Sequence, residues 1–254
     1  MKRILISVVL AAICLSSFGQ KQEEKKKFQI KGQPIVTVFA NYHAGIGNAN
    51  KESGFALDRA YLGYQFSLTE KLSGKVVFDM GSTKVSGSDL ERVAYIKNAM
   101  LSWKTGNFTL DFGLIGLEQF NVQEKFWGYR YIMKSFQDEY KFGSSADMGI
   151  LGKYKFTKWL SADITISNGE GYKKLNGDNK YRYAVGATIL PVKNLTLRAY
   201  YDLASKNIEG DETKDQQNLA FFAGYKHELF SIGAEYNQMY NTKFKEDNDQ
   251  SGFS

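Results

Sequence analysis

Between residues 35 and 240 the chain divides into eleven strand-like segments, and the gaps between them alternate between short and long. The segments are 35–44, 55–68, 72–80, 94–104, 108–117, 147–156, 159–168, 181–190, 195–203, 218–226 and 229–240. The short gaps are tight-turn sequences such as Thr69-Glu70-Lys71, Thr105-Gly106-Asn107, Thr157-Lys158 and His227-Glu228. The long gaps, 45–54, 81–93, 118–145, 168–180, 204–217 and 241–250, are polar and rich in glycine. An antiparallel meander with this spacing carries every long loop at one end. A soluble sandwich has no reason for that asymmetry. A barrel of the bacterial outer membrane has one, with tight periplasmic turns and long extracellular loops.

The segments carry the side-chain pattern of such a barrel. Most are about ten residues, enough for a tilted strand to cross a bilayer. In the second, Ala60, Leu62, Tyr64, Phe66 and Leu68 share one face, and Arg59, Tyr61, Gly63, Gln65 and Ser67 the other. In the sixth, Met148, Ile150, Gly152, Tyr154 and Phe156 oppose Asp147, Gly149, Leu151, Lys153 and Lys155. In the ninth, Leu195, Leu197, Ala199, Tyr201 and Leu203 oppose Thr196, Arg198, Tyr200 and Asp202. Successive side chains of a strand point to opposite faces, so the apolar set is expected to meet lipid and the polar set to line a lumen. Aromatic residues, 15% of the chain, gather near segment ends, where interfacial girdles lie. The two prolines, Pro34 and Pro191, fall at element edges, where strands tolerate them.

The chain opens Met1-Lys2-Arg3, runs apolar from Ile4 to Leu15, and continues Ser16-Ser17-Phe18-Gly19. A basic start, a short apolar run and small residues predict a secretory signal peptide over 1–19, followed by a periplasmic tail over 20–33. Its removal takes Cys14, the one cysteine, so disulfide and thiol chemistry are not expected. The formal charge then falls from +6 to +4, because only Lys2 and Arg3 leave. So mild a surplus, with no basic helix or finger motif, gives no reason to expect nucleic acid as a partner. Ser251-Gly252-Phe253-Ser254 reads as the start of a twelfth strand. Closure of a single-chain barrel takes an even number of strands, so the expectation is a barrel incomplete at its C-terminus.

The gap 118–145 is the longest. Phe126, Tyr129, Met133, Phe136 and Tyr140 recur there at helical spacing, which predicts an amphipathic helix. Its other face carries Trp127, Arg130, Lys134, Gln137, Asp138 and Lys141. Two placements are open: a constriction folded into the lumen, with Arg130, Lys134 and Lys141 facing the solute, or a helix on the rim. By strand parity Arg59, Lys75, Lys153, Arg182 and Arg198 join Arg130 and Lys134 as pore-lining residues that would attract anions electrostatically. Carboxylates of the same parity, Asp79, Asp111, Asp163, Asp202 and Glu235, temper that charge.

The order of features resembles the phosphate-selective porin O and P family of outer-membrane porins. The resemblance covers most of the mature chain. It is carried by Arg59-Ala60-Tyr61-Leu62, by Lys97-Asn98-Ala99-Met100-Leu101 leading into Leu110-Asp111-Phe112-Gly113, by Ala146-Asp147-Met148-Gly149-Ile150 and by Ser167-Asn168-Gly169-Glu170-Gly171. The chain looks like a divergent member. The resemblance implies a barrel of about 16 strands, a homotrimer and a basic lumen passing small anionic or hydrophilic solutes. The mixed charges of this lumen fit a general or weakly anion-preferring porin better than a strict phosphate channel.

Signs of an enzyme are missing. The chain has no Gly-x-Ser-x-Gly elbow and no His-Glu-x-x-His, so no catalytic residue, metal ligand or cofactor is assigned. His43 reads as a solvated strand-end histidine, and Glu246-Asp247-Asn248-Asp249 as a solvated acidic loop. The alternative function is a barrel with a filled lumen, serving as an adhesin or assembly factor.

Overall fold

The computed structural model describes residues 30–45, 53–82, 92–174, 179–205 and 213–254. The signal segment 1–19 and most of the tail expected over 20–33 lie outside them. Twelve antiparallel strands form one sheet in sequence order. They are β1 (Lys31–Ala44), β2 (Ser53–Ser67), β3 (Leu72–Ser82), β4 (Arg92–Thr105), β5 (Phe108–Gly116) and β6 (Ala146–Lys155), then β7 (Leu160–Ser167), β8 (Arg182–Ile189), β9 (Leu195–Ala204), β10 (Gln216–Lys226), β11 (Ser231–Tyr240) and β12 (Gln250–Phe253). Each strand pairs with its neighbours in sequence, and β1 and β12 do not pair with each other, so the sheet is open. The all-β fold and the strand positions expected from the alternation agree with these elements.

One boundary needs correction. β1 begins at Lys31, so Lys31, Gly32 and Gln33, expected in the tail, are strand residues opposite Ser67, Phe66 and Gln65. Pro34 stands opposite Tyr64, three residues after the start of β1, and so lies within the strand and not before it.

Two short turns share one device. The Thr69 hydroxyl accepts from the Leu72 N–H at 2.9 Å, and the Thr157 hydroxyl accepts from the Leu160 N–H at 3.0 Å. Such side-chain bonds mimic a backbone turn and fix the short connection.

The polarity of the sheet is inverted relative to a soluble protein. Val36, Leu62, Phe78, Phe112, Ile150, Ile164, Val185, Phe221 and Ile232 are all exposed on one face. The opposite face holds buried Asp79, Asp111, Asp163, Arg198 and Asp202. In water, an apolar surface of this extent would drive association. Against lipid it is the stable arrangement, and the polar face is then the lumen side. Aromatic pairs mark the short-turn end: Trp103 with Phe108, Tyr154 with Phe156, and Tyr225 with Phe230.

The segment after β5 folds onto this polar inner face. It contains α1 (Glu118–Trp127) and the single-turn α2 (Phe136–Glu139). The expected continuous helix through Phe126 to Tyr140 is therefore corrected. Gly128 adopts a left-handed conformation (φ 74°), and its N–H donates to the Glu124 carbonyl, which closes α1. The helix instead begins earlier, where Leu117 and Phe120 pack with Ile115 and Leu151 in a small apolar cluster on the inner wall.

Candidate solute path on the inner face

The far wall holds the inward segment by buried ionic and amide contacts. Arg198 on β9 forks onto Asp163 of β7, at 2.7 and 3.0 Å, and donates from Nε to the Gln119 oxygen of α1 at 2.9 Å. Arg182 on β8 pairs with Asp202 on β9. Asp202 also accepts from Tyr200 and from the Asn218 amide, which reaches the Phe142 carbonyl at 3.1 Å. Further along, Gln137 of α2 bonds Asn237, and the Phe136 N–H donates to Glu235 at 3.2 Å. Glycines make room for the segment's rings. A Cβ at Gly224 would meet the Phe126 ring at 2.6 Å, and one at Gly233 would meet it at 3.1 Å.

The near wall is different. Arg59 on β2 pairs with buried Asp79 at 3.2 Å, and Tyr172, from the connection between β7 and β8, donates to the same carboxylate at 3.2 Å. Burial and the Asp79 charge push the Tyr172 hydroxyl far above its ordinary pKa, so it remains a donor. Lys97 donates to Tyr61 and Ser145, and its ammonium lies over the Tyr61 and Tyr172 rings. Lys75 lies within electrostatic reach of Asp111 and of three further lysines, Lys97, Lys153 and Lys125. Lys153 itself pairs with Asp111 at 3.1 Å and Glu118 at 3.6 Å.

Between the inward segment and β1–β2 lies an open space of about 550 Å³, lined by Asp58, Arg59, Arg130, Lys134 and Glu139 among others. Arg130 spans Glu124 at 3.4 Å and Asp138 at 2.7 Å, and Lys134 pairs with Glu139 at 3.3 Å. Burial opposes the Arg130 charge, but Glu124 and Asp138 outweigh it and raise its pKa. Burial raises the Glu124 pKa above the ordinary carboxylate value, partly offset by Arg130.

All seven cations singled out from sequence belong to this inner face or the segment folded on it, but they form two sets. Arg182 and Arg198 are covered by the inward segment and neutralised by Asp202 and Asp163, which departs from the expected contact with solute. Arg59, Arg130 and Lys134 border the open space with carboxylate partners, and Lys153 is partly exposed beside Asp111. Among the described residues no ion pair ties Lys75 to a carboxylate. Sequence reasoning missed Lys97 and Lys125 in that role, and Tyr172 and Gln119 altogether. The signal for Lys97 was obscured by a bulge: Val77 faces Asn98 while Phe78 faces Ile96, so Lys97 leaves the strand's strict parity.

No protein-family model matches the chain, and no curated protein matches it. Solved outer-membrane proteins are similar in fold. OmpF of Salmonella typhi, in a complex with daunomycin, is 13% identical over 84% of this chain and 80% of its own, with a TM-score of 0.41. A loop-deletion form of OmpT from Vibrio cholerae is 13% identical over 89% of this chain and 85% of its own, at 0.40. A FadL homologue of Pseudomonas aeruginosa is 14% identical over 83% of this chain and 66% of its own, at 0.38. At such low identity and TM-score the likeness says nothing of solute or activity.

Proposed function

We propose that this chain is an outer-membrane porin that lets small hydrophilic solutes and ions diffuse passively. The observation that carries the reading is the inverted sheet: an apolar outer face, a charged inner face, and a segment anchored on the inner side that leaves an open space beside β1–β2. Lipid on one side and a water-filled path on the other account for both faces. The segment 118–145 acts as the constriction. A weak anion preference rests on Lys75 and Lys97 of the near wall and Lys125 of α1, with Arg59, Arg130 and Lys134 bordering the path and Lys153 beside them on the inner face. The resemblance to phosphate-selective porins supports the same direction and adds a homotrimer.

Planar-bilayer recording tests this. Stable conductance with a reversal potential favouring anions across a salt gradient is the expected result. Neutralising Arg130 and Lys134 together is expected to lower that preference. The packing of the inward segment onto the wall also fits a filled, non-conducting barrel that serves adhesion or assembly. Folded, heat-modifiable protein without conductance would replace the porin reading with that one.

A further inference from the structure

A second space lies on the other side of the inward segment, between α1–α2 and the wall of β10 and β11, and it is bordered also by Phe253 and Ser254. Its volume is about 300 Å³, at the lower end for small-molecule pockets. Phe126, Trp127, Phe136 and Phe222 supply aromatic walls. The Phe126 and Phe222 rings meet edge to face at 5.2 Å. Three polar side chains line the space and are nine-tenths or more buried: Gln123, Ser135 and Glu235. Among the described residues, neither amide atom of Gln123, the Ser135 hydroxyl nor the Glu235 Oε2 has a hydrogen-bond partner.

Buried polar groups without partners are costly, so a ligand that satisfies them is favoured here. The unsatisfied set asks for both roles at once. Gln123 offers a donor and an acceptor, Ser135 a hydroxyl and Glu235 an acceptor. The charges point to a neutral ligand. Glu235 stands against an anion, and Lys134, which also lines the space, stands against a cation. A molecule with several hydroxyls, each donating and accepting, and an apolar ring face for the aromatic wall meets every requirement.

We propose that this space is a binding subsite for a neutral sugar ring. It extends the porin reading by naming a solute class, and it rests on that reading only for the sugar's route of entry. Trp127 reports occupancy directly. The chain has three tryptophans, so Trp103→Phe with Trp159→Phe leaves Trp127 as the sole reporter.

The experiment is a fluorescence titration of that protein, folded in detergent micelles, with glucose, maltose, choline and inorganic phosphate. Saturable quenching or enhancement with a sugar, and none with choline or phosphate, is the expected result. Gln123→Leu, which keeps volume and removes both amide functions, is expected to weaken sugar binding by about tenfold or more. Ser135→Ala is expected to weaken it less, with heat-modifiable mobility retained in both variants. A folded protein that shows no saturation with either sugar, or that saturates with choline or phosphate instead, overturns the proposal. The two readings fail separately. Conductance without sugar binding removes the subsite and leaves the porin. Sugar binding without conductance removes the porin and leaves the subsite.

Discussion

Arg198 on β9 donates to Gln119 on α1 at 2.9 Å, and this bond latches the inward segment to the wall of the sheet. The guanidinium is not free to swing, because Asp163 holds its other two nitrogens at 2.7 and 3.0 Å. Lifting α1 would strip a buried amide and a buried guanidinium nitrogen of their partners, which low dielectric makes expensive. The segment is therefore a fixed part of the lumen wall.

The Arg198–Asp163 pair is 3% and 6% exposed, so removing one partner strands a charge. Arg198→Met is expected to destabilise the folded barrel by about 3–5 kcal/mol. Arg198→Met with Asp163→Leu removes both charges and is expected to recover much of that loss. Urea midpoints read from heat-modifiable mobility check this. Equal losses in the single and double variants would show that the stranded charge is not the cause.

Gly186 on β8 lies under the same guanidinium, and a Cβ there would collide with Arg198 and crowd Asp163. Gly186→Ala must push the Arg198 fork aside. The expected cost is about 1–3 kcal/mol, with noisier single-channel current as the latch loosens. In an Arg198→Met background the same substitution is expected to cost less, because the clash is gone. Additive losses in the double variant would sink this account.

Strand order, strand bounds and the two faces were legible in the sequence because period-2 alternation is local. Ala60, Leu62 and Tyr64 declare one face within five residues, and no distant partner is needed to read it. The inward helix was legible only as a stripe. Phe126 and Phe136 do both pack on the inner wall, but Gly128 breaks the helix between them, and the helical turns that hold the segment begin at Glu118. The ion pairs were not legible. Arg198 and Asp163 are 35 residues apart, and Arg182 and Asp202 20 apart, so their meeting depends on register across neighbouring strands. Parity gave both members the same face and could not say that each would neutralise the other.

That distinction separates selectivity from stability among the cations. Lys75 and Lys97 have no ion pair among the described residues, whereas Arg182 is buried against Asp202. Lys75→Gln with Lys97→Gln is expected to move the reversal potential toward cations with little change in unfolding midpoint. Arg182→Gln is expected to lower the midpoint and leave the potential nearly unchanged. Measured on the same three proteins, a potential that follows Arg182 and ignores the two lysines would reverse the assignment.

Glu124 supplies a pH dependence with a definite sign. Its carboxyl sits on α1, where burial raises its pKa above the ordinary value and Arg130 offsets only part of the rise. An ordinary glutamate titrates at about 4.3, so above that pH the unfolded chain releases this proton while the folded chain still holds it. The folded state then binds more protons than the unfolded one, and stability falls as pH rises. The contribution is fully present below the ordinary value and is lost as pH climbs through the folded value. Glu124→Gln fixes the uncharged form and is expected to flatten the difference, so that variant gains on the wild type as pH rises from acid to neutral. Urea midpoints of both proteins across that range measure it. A wild type that gains on the variant with rising pH would mean that the Arg130 pair outweighs burial and that the carboxylate, not the acid, is the favoured form on α1.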